Sequence, residues 1–197
     1  RPDLVHVHLP GPLGEWAAWL AQPRRLIVSL HNDYVRPRWA LRLHSPLHRA
    51  VLQRAHAIIV GAPDYGRTSP GLTRLQAKVR AVPYGIDGGA YAAPCASRSQ
   101  LERKGVLSAG RLCYYKGIEV LLAAAPSVVA GICIAGDGPW RKRLETQTAN
   151  AGLDGRVRFM GSLSEDALIR LMHASRVFAF PSTERSESFG LMQLKAM

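Results

Sequence analysis

The chain has 197 residues, of which 47% are hydrophobic, with a mean hydropathy of −0.04 and a formal net charge of +12. That length permits one large domain or two small ones, and the composition is that of a soluble globular protein rather than a disordered or fibrous one. No apolar run approaches the roughly 18 residues of a membrane span, so no spanning helix is expected. The charge asks for an anionic partner. Zinc-finger spacing, an RNP-type aromatic motif and a long basic run are all missing from the sequence, so no nucleic acid partner is expected. Phosphate-bearing small molecules or an anionic membrane surface remain. Cys95, Cys113 and Cys133 share no CxxC spacing and read as reduced thiols of a cytoplasmic protein. The chain opens on Arg1-Pro2-Asp3 and stops in an apolar, helix-like run, so a piece of a longer polypeptide is expected.

In chain order, the first strand is expected over 4–8, a helix over 15–21 and a strand over 26–30. A longer amphipathic helix follows over 39–54, then strands over 57–60 and 78–82. Residues 85–104 are rich in Gly, Ala, Ser and Pro without periodicity and read as a linker. The alternation then resumes: strand 106–109, helix 118–125, strand 132–135, helix 140–151 and strand 157–160. Ser164 caps a helix over 165–174 whose first turn is acidic, and a strand over 177–180 ends at Pro181. Strands separated by helices of about ten residues mean parallel βαβ units. The expected fold class is α/β, with two Rossmann-like domains on parallel sheets, both incomplete: 1–84, the linker 85–104, and 105–197.

In such sheets ligands bind beyond the carboxyl ends of the strands. After strand 106–109 come Gly110-Arg111, then Lys116-Gly117 ahead of a helix. Two cations beside a helix N-terminus can converge on a diphosphate, each charge-assisted hydrogen bond contributing roughly 1.5–3 kcal/mol. After strand 132–135 comes Gly136-Asp137-Gly138-Pro139, whose glycines permit a tight turn and close ligand approach. It is not GxGxxG, which argues against a nicotinamide enzyme. After strand 177–180 comes the 184–190 loop, where Glu187 can accept hydrogen bonds from sugar hydroxyls and Gly190 lets backbone amides approach a donor. Glu184 reads as a solvated neighbour. His6 and His8 alternate on one strand face with no third metal ligand evident, whereas His31 directly follows a strand and is better placed for function. No Asp-x-Asp pair occurs, so phosphate must be neutralised by cations and helix ends.

Taken together these pieces resemble the GT-B glycosyltransferases of the large retaining family 4, the group 1 transferases. The matching stretches are Pro2-Asp3-Leu4-Val5-His6-Val7-His8, Ser29-Leu30-His31-Asn32-Asp33, Val82-Pro83-Tyr84-Gly85-Ile86-Asp87, Gly110-Arg111-Leu112 with Lys116-Gly117, Ala135-Gly136-Asp137-Gly138-Pro139, Phe159-Met160-Gly161, and Pro181-Ser182 through Met197. They cover nearly the whole chain in the family's order. The resemblance implies that Arg111 and Lys116 bind the donor diphosphate, that Glu187, the first glutamate of an E-x7-E motif, contacts the donor sugar, and that His31 lies near that sugar. It also implies that amides near Phe189, Gly190 and Leu191 support sugar and phosphate. Gly110, Gly136, Ser188 and Lys195 complete the expected donor-binding set. Neither a metal nor another cofactor is expected. Lys195 stands where the family places a second glutamate that accepts from ribose hydroxyls, and an ammonium has donors only.

The expected function is transfer of a hexose, with retention, from a nucleotide diphosphate sugar (a UDP- or GDP-sugar) to a hydroxyl of a sugar or lipid-linked glycan acceptor. A non-catalytic nucleotide-sugar binder with a degraded E-x7-E site is the alternative; a nucleic-acid binder and a GT-B epimerase rank below it. The basic stretch with Arg36, Arg38, Arg42, Arg49 and Arg54 suggests peripheral contact with an anionic membrane, on its inner face in a cytoplasmic protein.

Overall fold

The computed structural model describes residues 1–91 and 103–197. The chain divides into two compact units: Arg1–Gly85 with Glu184–Phe189, and Ile86–Thr183 with Gly190–Met197. The short segment Glu184–Phe189 thus belongs with the first unit although it lies far along the sequence.

In the first unit, strands β1 (Leu4–Leu9), β2 (Arg25–Leu30), β3 (Ala57–Val60) and β4 (Val79–Ala81) form a parallel sheet in the order β1-β2-β3-β4. Helices α1 (Pro12–Ala21), α2 (Arg38–Arg54) and α3 (Pro63–Thr68) make the crossovers. Because side chains alternate along a strand, Val7, Leu9, Val28 and Leu30 join Ala18 of α1, Leu52 of α2 and Tyr65 of α3 in one core. One strand face is therefore apolar, and the opposite face of β1 and β2 carries His6, His8 and Ser29. Helix α1 starts three residues before its expected first turn because Pro12 pre-sets the helical φ at its N-terminus. Its one charged residue, Glu15, is fully buried, with His44 Nε2 2.5 Å and His48 Nδ1 2.8 Å from its two oxygens. Both histidines come from α2.

In the second unit, β5 (Val106–Ala109), β6 (Ile132–Ala135), β7 (Val157–Gly161) and β8 (Val177–Phe178) form a parallel sheet ordered β7-β6-β5-β8. Helices α4 (Gly88–Tyr91), α5 (Ile118–Ala124), α6 (Arg141–Asn150), α7 (Glu165–Ala174) and α8 (Leu191–Ala196) accompany it. Here both sheet faces are apolar. Ile132 and Ile134 pack with Ile118, Leu122 and Leu144 on one side. Leu107, Ala109 and Ala135 pack with Leu168 and Met192 on the other. Ser164 caps α7 by accepting from the Ala167 N–H at 3.3 Å, with Glu165 and Asp166 in the first turn.

The element boundaries depart from expectation in a few places. Short elements Pro63–Thr68 and Gly88–Tyr91 add helical turns where no periodicity signals them, the latter inside the expected linker. The rest of that linker, with Cys95, lies outside the described residues apart from its final positions. The strand expected over 177–180 is regular only at Val177–Phe178, although the Ala179 N–H still donates to Leu107 O at 2.7 Å.

Candidate donor site

The carboxyl ends of β5 and β6 are stitched together by backbone hydrogen bonds. Gly110 N–H donates to Ala135 O at 3.0 Å, and Leu112 N–H to Asp137 O at 2.9 Å. Gly136 has φ +124°, and a Cβ there would lie 2.0 Å from Gly110 O, so only glycine lets the two loops approach this closely. Above them opens a cavity of about 280 Å³ lined by Gly110, Arg111, Gly136, Asp137, Ser162, Leu163 and Met192, among others. Lys116 follows in a 3-10 turn, Tyr114–Lys116, with its ammonium 5.2 Å from the centroid of the Phe180 ring. Arg111 and Lys116 line one small crevice with Gly110, Phe180 and Ser182. Of the residues the sequence singles out, Gly110, Arg111 and Gly136 line the cavity, and Lys116 joins Gly110 and Arg111 in the adjoining crevice. Backbone that approaches closely, flanked by two cations, is chemistry suited to an oxyanion such as a diphosphate.

Asp137, Ser162, Leu163 and Met192 also line this cavity, and the sequence did not single them out. Asp137 accepts from the Gly138 N–H at 2.7 Å and from Arg141 at 2.9 Å, and these bonds hold its carboxyl below the usual carboxylate range. Its place inside the Gly-Asp-Gly-Pro turn was a readable signal. Ser162 and Leu163 follow the end of β7, where the strand-end rule applied to the other strands would have found them.

Leu191 and Lys195 lie on the short helix α8, preceded by Gly190 at φ +79°. Lys195 is not among the residues lining the 280 Å³ cavity. Its ammonium is 3.0 Å from Glu165 Oε1 and 4.9 Å from the centroid of the Tyr91 ring, while the Tyr91 hydroxyl donates to the same carboxylate oxygen.

In the first unit, His31 sits just past β2. Its Nε2 is hydrogen-bonded to His8 Nδ1 at 2.8 Å and its Nδ1 to the Tyr84 hydroxyl. His8 and His31 stack with centroids 5.1 Å apart. Burial, then the neighbouring His8 and His6, pushes the His31 imidazole below its ordinary pKa. Ser188 donates its hydroxyl to His31 O, and the Phe189 ring meets Tyr84 edge-on at 5.0 Å. Glu187 lies between this anchor and Glu184, whose carboxylate pairs with Arg36 at 2.8 Å. His31, Ser188 and Phe189 are thus gathered in the first unit, whereas Gly190 and Leu191 belong to the second. His6 is occupied by Ser29 Oγ at 2.8 Å. Among the described residues no cluster of three or more His, Cys, Asp or Glu side chains is arranged to hold a metal ion. No local sequence signal links His8 or Tyr84 to His31, because these bonds span 23 and 53 residues.

Residues 95–197 match the family described as glycosyl transferases group 1, and residues 1–88 match glycosyltransferase family 4. The chain is 32% identical over 199 aligned positions to the D-rhamnosyltransferase WbpZ of Pseudomonas aeruginosa, covering 98% of this chain and 52% of that protein. It is 28% identical to the O-antigen chain mannosyltransferase C of Escherichia coli, covering 98% and 53%. Among solved structures, Anabaena HepE in complex with UDP and glucose superimposes with a TM-score of 0.74 at 20% identity, over 98% of this chain and 56% of that one. The chain spans about half the length of the curated relatives it matches. With two Rossmann-like parallel sheets of the GT-B type and a group 1 match over more than half its residues, the chain belongs to the group 1 glycosyltransferase family.

Proposed function

We propose that this chain serves a retaining glycosyltransferase, which moves a hexose from a nucleotide diphosphate sugar to a hydroxyl of a sugar or lipid-linked glycan acceptor. The observation that carries this reading is the cavity at the ends of β5 and β6, floored by Gly110 and Gly136 and edged by Arg111, with Lys116 in the adjoining crevice. In this reading the guanidinium and ammonium hold the donor diphosphate. They also stabilise the charge that builds on the departing nucleoside diphosphate, which is the costly part of breaking its bond to the sugar. Glu187 accepts from donor-sugar hydroxyls, His31 lies beside that sugar, and Ser188, Phe189, Gly190 and Leu191 supply neighbouring backbone. The second unit is the donor domain and the first the acceptor domain. Support for a UDP- or GDP-sugar comes from HepE, solved with UDP and glucose, and from a Mycobacterium tuberculosis relative described as GDP-mannose-dependent, 27% identical.

The test is turnover with a panel of nucleotide sugars. Arg111→Ala and Lys116→Ala should each reduce it at least tenfold, about 1.4 kcal/mol of barrier. Unchanged kinetics in both variants would refute the assignment. The second reading, a non-catalytic nucleotide-sugar binder, is favoured by Lys195, which stands at the second-glutamate position and is turned to Glu165. Binding of donor without turnover in any acceptor mixture would select it.

We also propose peripheral contact with anionic lipid. No helix among the described residues is long and apolar enough to cross a membrane. Helix α1 nevertheless exposes Leu13, Trp16 and Leu20, and neighbouring α2 exposes Trp39 and Leu43 beside Arg42 and Arg49 with no acidic residue in that helix. An apolar surface rimmed by arginine matches an anionic lipid interface. Co-sedimentation with vesicles should rise with their anionic lipid content; indifference to it would overturn the contact.

A further inference from the structure

The first unit holds a cavity of its own, of about 390 Å³, lined from the segment after β2, from α2 and from the turn after α3. That volume lies in the range of small-molecule pockets, about 300–1,000 Å³. Leu41, His44, Ser45 and His48 line it at the i, i+3, i+4, i+7 spacing of one helix face. The two imidazoles are locked in place. Nε2 of His44 and Nδ1 of His48 lie 2.5 and 2.8 Å from the oxygens of the buried Glu15 of α1. Tyr34 stands edge-on to both rings, with centroids 5.3 and 5.2 Å away. The second nitrogen of each ring has no hydrogen-bond partner among the described residues. Asp33 accepts from the Tyr65 and Ser69 hydroxyls on Oδ1 at 2.9 and 2.7 Å, while its Oδ2 is buried with no partner among the described residues. Arg185, which belongs to the same unit, lines the cavity too, and its Nη1 donates to Thr68 O at 2.8 Å.

We propose that this cavity binds a sugar ring of the acceptor glycan, with Asp33, His44, His48 and Arg185 setting which hydroxyls it takes. A neutral imidazole that donates to Glu15 is an acceptor at its other nitrogen, and a carboxylate only accepts. The lining residues therefore offer three acceptors, Asp33 Oδ2, His44 Nδ1 and His48 Nε2, and one donor group, the Arg185 guanidinium. A hydroxyl both donates and accepts, so a polyol satisfies the two sets at once. A hydrocarbon would leave the buried oxygen of Asp33 unpaired, at the full desolvation cost of that group. An anion would meet the Asp33 carboxylate, and an organic cation the Arg185 guanidinium. Val35, Leu41 and Pro70 supply apolar wall for the C–H face of a pyranose ring. A mostly apolar lining with a few fixed polar groups is what orients a small ligand.

The acceptor role rests on the glycosyl-transfer reading; binding of a sugar by the cavity does not. The site selects rather than reacts. It lies wholly within the first unit, and none of its residues takes part in making or breaking a bond.

The experiment titrates the methyl glycosides of mannose, glucose, rhamnose and N-acetylglucosamine into this chain carrying ¹⁵N-labelled histidine, with no donor present. At least one glycoside should shift the ring nitrogens of His44 and His48 saturably. Those of His56, whose Nδ1 accepts from the Leu26 N–H at 3.2 Å and which does not line the cavity, should stay in place. Asp33→Asn, which keeps one oxygen for Tyr65 and Ser69, should weaken that binding about fivefold or more. Should it fail to fold, Ser45→Phe at an exposed position of the lining should abolish binding by filling the cavity. Silence from all four glycosides, or binding indifferent to both variants, overturns the proposal. So does the same saturable shift from benzene, tetramethylammonium or inorganic phosphate while the glycosides stay silent. In the transferring enzyme, Ser45→Phe should raise the acceptor KM about tenfold with the donor KM unchanged. An unaltered acceptor KM would overturn the acceptor role, and glycoside binding by a protein that transfers no sugar would count against the functional reading alone.

Discussion

The two units solve the same architectural problem differently. Both end parallel strands in loops that carry the candidate residues. The second unit clears space there with glycines and edges it with Arg111 and Lys116, and its sheet is covered by apolar side chains on both faces. The first unit fills its strand ends with a side-chain chain, His8–His31–Tyr84, and buries polar groups behind it. Glu15 is held by two histidines, and Asp33 accepts from Tyr65 at 2.9 Å and from Ser69 at 2.7 Å. Charge pairs of the second unit such as Arg141–Asp137 and Lys195–Glu165 are by contrast partly or largely exposed. A cavity lined by backbone tolerates little added volume, whereas a buried polar network tolerates little loss of a partner.

The largest effect should therefore come from the first unit. Glu15→Ala strands two imidazole nitrogens around an emptied buried position and should cost about 3–5 kcal/mol in denaturant unfolding. A change near zero would mean that this network is not what organises α1 against α2. Next, Gly136→Ala should weaken nucleotide binding at least tenfold, about 1.4 kcal/mol, because its Cβ collides with Gly110 O. Unaltered affinity in calorimetry would show that the two strand-end loops can separate without harm.

A third effect is smaller and depends on pH. Burial raises the phenol pKa values of Tyr34, Tyr65 and Tyr84 above the ordinary 10.0, with Glu15 and Asp33 adding to the rise at the first two. A raised folded-state pKa means that the unfolded chain ionises first, so this stability is complete below about pH 10 and is lost as pH climbs further. Unfolding midpoints compared at neutral and strongly alkaline pH should fall for the native chain and fall less for Tyr65→Phe. The smallest effect belongs to Lys195→Ala. Its partner Glu165 is largely exposed, so the melting midpoint should hardly move. A clear drop would reveal that the Lys195–Glu165–Tyr91 cluster fastens α8 more firmly than its exposure suggests.

Most of the strand and helix order was readable because parallel strands are short apolar runs between helical periods, as at Ile132–Ala135 and Glu165–Ala174. The strand-end rule then singled out Gly110, Arg111 and Gly136, which line one cavity, without knowledge of pairing. What stayed hidden was whatever depends on partners remote in the chain. The bond between Lys195 and Glu165 spans 30 residues, and that between Tyr84 and His31 spans 53. The membership of Glu184–Phe189 in the first unit had no local signal either, since it follows from packing rather than from pattern. Short elements such as Pro63–Thr68 escaped because fewer than two turns of helix carry too little periodicity to be distinguished from a loop.

We propose that Arg111 and Lys116 grip the diphosphate of a nucleotide sugar. Isothermal titration of UDP and GDP into the chain and into its Arg111→Ala/Lys116→Ala double variant tests it most directly. The native chain should bind, and the double variant at least a hundredfold more weakly, about 2.7 kcal/mol. Equal affinity in the two proteins would contradict it.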